Sequence, residues 1–350
     1  MNNLNCLREK ESSVLKNKKL TDTNYLFLSA TVACLENTLI QGELLDKMIE
    51  ARSFEESFGI AAETFSEHGE IKYGADGYEK VLSDELFRAY SEIEKLLVSA
   101  GGETRLLRPM RYLYDCQTIK SCIKCEALGS SPEEMFISCG NIPSPIVLEM
   151  VNKRDFSELP FNMRTAAEKA IEEFSVSGDP QKIDLILDRG AFLDMSETAD
   201  EIGLEYLSML CRTKIDLCNI MSFVRCMLSG IGLRFFREAF IPGGTLEEEF
   251  FVQRFGEGTD KLFSAMASSG LYGAFYEKAG KTPGSAEKLC DEIYLKAAFS
   301  GKFVSFGPEK AIMYMIEKEN EIRNVRIVLA GKKSGLSSEK LRERIRVSPQ

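Results

Sequence analysis

The sequence contains one histidine, His68, and no tryptophan. A lone imidazole removes most acid–base relays and histidine-rich metal sites, which need two or more such groups held together. An excess of positive charge is also missing: 44 Lys and Arg face 54 Asp and Glu, a formal net charge of -10. A nucleic-acid footprint needs clustered basic residues, and here they gather only in the two tails, so nucleic acid is not an expected partner. Long hydrophobic runs are missing too. The longest uncharged stretch, Leu262 to Tyr276, is interrupted by Ser and Gly and falls short of the ~20 apolar residues a spanning helix requires. Met1 to Lys19 is polar and Lys-rich, without the apolar core of a signal peptide. The ten cysteines therefore read as reduced thiols of a cytoplasmic protein rather than a disulfide framework. Alternating strand patterns are almost absent, and Phe303 to Phe306 is too short to count as one.

What remains is helical. Leu28, Val32, Leu35 and Leu39 recur at steps of four, three and four residues, which sets them on one helix face. Ile322, Val325 and Leu329 do the same near the C-terminus. That helix is predicted to open at Pro308, whose missing N–H is no loss in a first turn. It is predicted to stop near Gly331 in a left-handed cap. Ser337 then reads as the N-cap of a short final helix through Leu341 and Ile345. An apolar fraction of 44% is enough for a sizeable core.

The chain repeats itself. Met48-Ile-Glu-Ala-Arg52-Ser-Phe54-Glu-Glu56 returns as Met150-Val-Asn-Lys-Arg154-Asp-Phe156-Ser-Glu158, 102 residues on, with a weaker copy at Phe250-Phe-Val-Gln-Arg254. Ile142-Pro143 and Ile241-Pro242 match ahead of the second and third copies. A second anchor recurs as Asp115-Cys-Gln-Thr118, Asp216-Leu-Cys-Asn219 and Glu321-Ile-Arg-Asn324, at spacings of 101 and 105 residues. Two anchors sharing one period argue for a duplicated helical unit, longer than the 20–50 residues of common solenoid repeats. The expected division is a polar tail over 1–22, repeats over 23–114, 115–214 and 215–320, and C-terminal helices over 321–350 that complete the packing of the first repeat. The acid-x-x-Asn positions read either as caps and interhelical hydrogen bonds or as a polar ring facing a common axis.

Motifs with chemistry are poor. Gly280-Lys281-Thr282 ends like a phosphate-binding loop, but Phe275 stands where that loop needs glycine, and Pro283-Gly284 stand where its helix should begin. Cys122-Ile-Lys-Cys125 is a single CxxC inside an apolar helical segment, whereas a zinc site needs four converging ligands. Cys211, Cys218 and Cys226 mark one helix face. Glu247-Glu248-Glu249 and Glu55-Glu56 read as solvated surface, since adjacent helical residues do not face each other. His68, in Glu67-His68-Gly69-Glu70, has no nucleophile beside it. No catalytic, cofactor or metal residue is nominated.

The segment Glu319-Asn-Glu321-Ile-Arg-Asn324-Val-Arg326-Ile-Val-Leu-Ala-Gly331-Lys332-Lys-Ser-Gly335-Leu336 resembles the terminal signature of the C subunits of V-type (A/V-type) ATPases, the family that includes the eukaryotic d subunits. Tyr25, Leu35-Glu36-Asn37, Leu44-Leu45 and Met48-Ile49-Glu50-Ala51 resemble that family's opening, and Asp216-x-x-Asn219 with Ile241-Pro242-Gly243-Gly244 its middle. Thr118 departs from the Asn of the other copies. The resemblance covers roughly 25–346. It implies an all-α fold of three similar helical domains in a funnel-shaped pseudo-threefold arrangement. It also implies a non-catalytic central-rotor subunit, peripheral on the cytoplasmic membrane face. Such a protein couples central-stalk subunits to the membrane proteolipid rotor ring during ATP-linked proton or sodium transport. The chain is expected to be monomeric when isolated. Asp115, Asp216, Asn219, Glu321, Asn324, Arg326 and Lys332 are the residues expected to make packing or socket contacts. A general helical-repeat adaptor is the alternative reading, and a thiol or metal enzyme built on Cys122 and Cys125 a remoter one.

Overall fold

The computed structural model describes residues 22–66, 75–133, 136, 139–278 and 282–349. His68, the stretch 1–21 and Gly280-Lys281 lie outside the described residues. Every regular element described is a helix. In chain order they are α1 (Leu26–Glu36), α2 (Gly42–Glu50), α3 (Phe54–Ser66), α4 (Tyr78–Ser99), α5 (Arg108–Leu128), α6 (Ser144–Lys153), α7 (Phe161–Ser177), α8 (Pro180–Ile202), α9 (Glu205–Ser229), α10 (Leu233–Ala239), α11 (Glu248–Val252), α12 (Thr259–Met266), α13 (Ala274–Lys278), α14 (Pro283–Ala298), α15 (Glu309–Lys333) and α16 (Ser338–Arg344). Short 3-10 turns, Thr104–Leu107 and Phe299–Phe303 among them, lead into α5 and towards α15.

Local chemistry accounts for several boundaries. Asp179 caps α8 by accepting from the Gln181 N–H at 2.9 Å, with Pro180 in the first turn where no N–H is needed. Thr282 and Ser285 form a capping box on α14. Pro283 therefore opens that helix instead of excluding one, because its fixed φ suits a first turn. Leu28 and Val32 are buried on α1, but Leu39 is buried from the turn that follows the helix.

The expected stop at Gly331 is corrected. α15 continues through it to Lys333, and the left-handed residue is Gly335 (φ 70). The turn closes with Leu336 N–H to Gly331 O at 2.9 Å and Gly335 N–H to Lys332 O at 3.0 Å, the double closure of a glycine-ended helix. Gly331 answers to packing instead: a Cβ there would stand 2.3 Å from Leu341 Cδ2. It lets α16 lie against α15. Ser337 does cap α16, accepting from Lys340 N–H at 3.4 Å, and the helix ends at Arg344, just before Ile345.

Three helices organise the packing. α5 lies on α6 and α8, and α7 lies on α8. α9 lies on α10, α12 and α14, with α13 between α12 and α14. α15 lies on α1, α2, α3 and α4, and α16 lies on α2, so the last helices of the chain pack among the first. One apolar core runs through most of these helices, and a second gathers under α9 to α14 around Phe223, Phe236 and Phe251. Among the described residues no helix is long and apolar enough to cross a membrane.

Candidate functional site

The recurring acid sits within α5, α9 and α15, and in each it holds a loop. Asp115 accepts from the Ile142 N–H at 3.0 Å and from Asn141 Nδ2 at 2.9 Å. Asp216 accepts from the N–H groups of Thr245 (3.1 Å) and Leu246 (2.9 Å) and from the Tyr272 hydroxyl (2.7 Å). Glu321 accepts from the Ile40 N–H at 2.6 Å. A loop must come very close for this. A Cβ on Gly140 or Gly244 would stand 2.2 or 2.1 Å from the carboxylate oxygen of Asp115 or Asp216.

The amide three residues on holds the same kind of loop at a second point. Asn219 donates from Nδ2 to Ile241 O at 2.7 Å and accepts the Ile241 N–H at 2.9 Å. Asn324 does the same for Arg346, at 2.9 and 3.0 Å. Thr118 has a single short-reaching hydroxyl in place of the amide's separate oxygen and nitrogen, and it donates to Tyr114 O of its own helix at 3.0 Å. Burial pushes the Asp115 carboxyl above its usual range, against the pull of the Ile142 and Asn141 donors. Of the remaining nominated residues, Arg326 pairs with Glu79 at 2.8 Å on a half-exposed surface, and Lys332 donates to Ala51 O at 2.6 Å.

Periodicity missed the charges buried beside these anchors. Lys318 Nζ lies 2.7 Å from Glu85 and 2.6 Å from Glu321, and all three side chains are at most 3% exposed. Burial opposes the Lys318 charge, but Glu321 and Glu85 outweigh it and raise its pKa. Burial raises Glu321 as well, against Lys318. Next to Lys318 in the chain, Glu319 accepts from the hydroxyls of Tyr90 (2.6 Å) and Tyr114 (2.8 Å), which joins α4, α5 and α15. Charged residues in a pattern ordinarily read as surface; only the burial of α15 among several helices reveals them.

Contacts between distant segments lie close to the starts of α5, α9 and α1. Arg105, before α5, lies 3.5 Å from Glu201 at the end of α8. Tyr206, at the start of α9, donates to Ala298 O at 2.5 Å. Tyr25 packs its hydroxyl 3.0 Å from where a Gly102 Cβ would be. Burial, then the carboxylates of Glu309 and Glu103, push its phenol upward. Between the anchor helices lies a cavity of about 250 Å³, lined by Leu113 and Gln117 of α5, Lys214 of α9, and Glu319 and Arg323 of α15. Leu113, Lys214 and Glu319 each stand two residues before the recurring acid, and Gln117 and Arg323 two after it. None of the seven nominated residues lines this cavity.

The family described as ATP synthase (C/AC39) subunit matches residues 28–344. The chain belongs to that family. Among its curated relatives, the C subunit of the V-type sodium ATPase of Enterococcus hirae is 24% identical over 322 residues, covering 89% of this chain and 97% of the relative. The C subunit of the A-type ATP synthase of Thermococcus kodakarensis is 21% identical over 334 residues, 92% of this chain and 90% of the relative. That of Methanocaldococcus jannaschii is 24% identical over 356 residues, 91% and 85% respectively. Membership in the C/AC39 family makes the chain a subunit of a V/A-type ATPase, a non-catalytic part of the assembly.

The cysteines fit a packing role. Cys122 and Cys125 are buried on α5, and burial, then Cys125, pushes the Cys122 thiol up to about 12. A thiol so far from ionisation is a poor nucleophile and a poor metal ligand.

Proposed function

We propose that this protein is a coupler in the central rotor, made of three equivalent helical units headed by α5, α9 and α15. The third of these is completed by α1 to α4 from the other end of the chain. The single observation carrying this reading is the cavity between the three heads, lined from matching positions relative to the three recurring acids. The contacts Arg105–Glu201, Tyr206–Ala298 and Tyr25–Gly102, close to the starts of α5, α9 and α1, support it. In this reading the hollow between the heads receives the tip of the central stalk and the opposite end seats on the proteolipid ring, at the cytoplasmic face of the membrane. Torque passes through packed helices, because loops would dissipate it in local deformation. The buried acids and amides keep each unit stiff, while Lys214, Glu319 and Arg323 give register to the shaft more than raw affinity. Ion translocation, of sodium as in the name of the Enterococcus relative or of protons, takes place on other subunits.

The test is co-purification. The tagged native chain is expected to bring down stalk and proteolipid subunits together, and Lys214→Ala with Arg323→Ala is expected to lose the stalk while the variant keeps its helical signal and melting temperature. Native preparations that carry neither stalk nor ring subunits would return the chain to the adaptor reading.

A further inference from the structure

We propose that the groove where the two ends of the chain meet is a receptor for a basic side chain, a guanidinium or ammonium, presented by another protein chain. The groove encloses about 720 Å³ between the α1–α2 corner, α15 and the C-terminal tail. It goes beyond the coupling role and does not depend on it.

The groove is a seam. In the α9 unit the chain from Ile241, held by Asn219, runs unbroken to Thr245 and Leu246, held by Asp216. In the α15 unit Asn324 holds Arg346 of the tail, while Glu321 holds Ile40 from the N-terminal side. The covalent link present in one unit is absent in the other, and the groove lies between the two loose halves.

Its wall is rich in acceptors. Glu317 and Glu36 both line it. Asn320, 7% exposed, donates weakly from Nδ2 to Arg346 O and Ser348 Oγ, both at 3.4 Å. Its buried Oδ1 accepts from nothing among the described residues. A buried acceptor without a donor costs about 1–3 kcal/mol, so it calls for one. Three cations also line the groove: Arg342 pairs with Asp46 and Glu50, Arg346 with Asp291, and Lys302 lies over the Phe299 ring. Burial, then Glu36, pushes the Glu317 carboxyl up to about 7, eased only in part by Lys302.

Comparison between the units says which charge is missing. Four residues before the recurring acid stand Arg111 in α5 and Arg212 in α9, but Glu317 in α15. Arg111 donates to Cys139 O at 2.9 Å and Gly140 O at 2.5 Å, fastening the loop that leads to Ile142. α15 offers a carboxylate at the corresponding place, beside the loop that leads to Ile40. In α9 Arg212 pairs instead with Glu205 at 3.3 Å and Asp200 at 3.6 Å. The donor array that α5 supplies to its own loop has no counterpart in α15, and a guanidinium from outside fits such a set of carboxylate and carbonyl oxygens.

Titration calorimetry on the full chain at 0.15 M salt, where exposed charges are largely screened, tests this with acetyl-(Gly-Arg)4-amide and its citrulline analogue. The arginine peptide is expected to bind and the citrulline peptide not. Glu36→Gln with Glu317→Gln is expected to weaken binding by about tenfold or more. Glu317→Arg, which copies the α5 arrangement, is expected to abolish binding without lowering the melting temperature. Equal affinity in the double variant, or no binding of the arginine peptide at millimolar concentration, overturns the proposal. Spermidine binding as tightly as the peptide and displacing it would also overturn it, assigning the groove to a small polyamine.

Discussion

The backbone N–H of Ile40 donates to the carboxylate of Glu321 at 2.6 Å across 281 residues of sequence. It is the same bond that Asp115 makes with Ile142 across 27. The last helices and the first thus meet through the contact that elsewhere ties a helix to the loop just after it. Ser338 to Ile49 O at 3.0 Å and Lys332 to Ala51 O at 2.6 Å extend that seam.

Breaking the buried triad one member at a time should be costly. Lys318→Met leaves Glu85 and Glu321 facing each other without their cation, and a loss of roughly 3–5 kcal/mol is expected. Urea denaturation of the variant against the parent measures it. Apolar replacement of all three together should recover most of the loss, because desolvation of the charges disappears with them.

The amides should be unequal. Asn219→Ala strands the N–H and C=O of buried Ile241, for about 2–4 kcal/mol on the cost of unmade hydrogen bonds, and Asn324→Ala frees those of half-buried Arg346 for about 1–2 kcal/mol. Thr118→Ala removes only a bond within its own helix and should stay below about 1 kcal/mol. Midpoints of chemical denaturation at constant slope decide the order; equal losses at all three positions would contradict the geometry.

Gly331→Ala should destabilise by about 1–3 kcal/mol through overpacking on Leu341, because the new Cβ lands 2.3 Å from Leu341 Cδ2. Combining it with Leu341→Ala should cost less than the sum of the two single changes. A double-mutant cycle on melting temperature reads the coupling.

Glu317 sets a pH dependence. Its carboxyl is raised from 4.5 to about 7 in the folded chain, so the folded state binds the extra proton between those values. The stability it contributes is therefore complete below pH 4.5 and is lost as pH rises through 7. Denaturation midpoints of the parent minus those of Glu317→Gln should decline across that window and level off above it. A flat difference would show that burial and Glu36 leave the group unperturbed.

The anchors are legible in the sequence because they repeat: Asp216-x-x-Asn219 and Glu321-x-x-Asn324 share a spacing that chance does not explain, and each pair holds a loop in the same way. Lys318 and Glu319 are not legible. A charged residue on a helix is ordinarily solvated, and nothing in its neighbours along the chain announces that four other helices will surround it. Gly331 misleads for a related reason. Near a helix end, glycine signals a left-handed cap, yet this one is required by the approach of Leu341 from a different helix.

Residue order alone dictates that the chain is helical, that its anchors recur, and where the last two helices begin, since spacing, caps and prolines act over a few residues. Three-dimensional packing was needed to show that α15 and α16 lie among α1 to α4, that the triad of Lys318, Glu85 and Glu321 is buried, and that matching positions of α5, α9 and α15 line one cavity. Those outcomes depend on which surfaces meet across hundreds of residues. That choice is made by the burial of whole helix faces, and no local pattern encodes it.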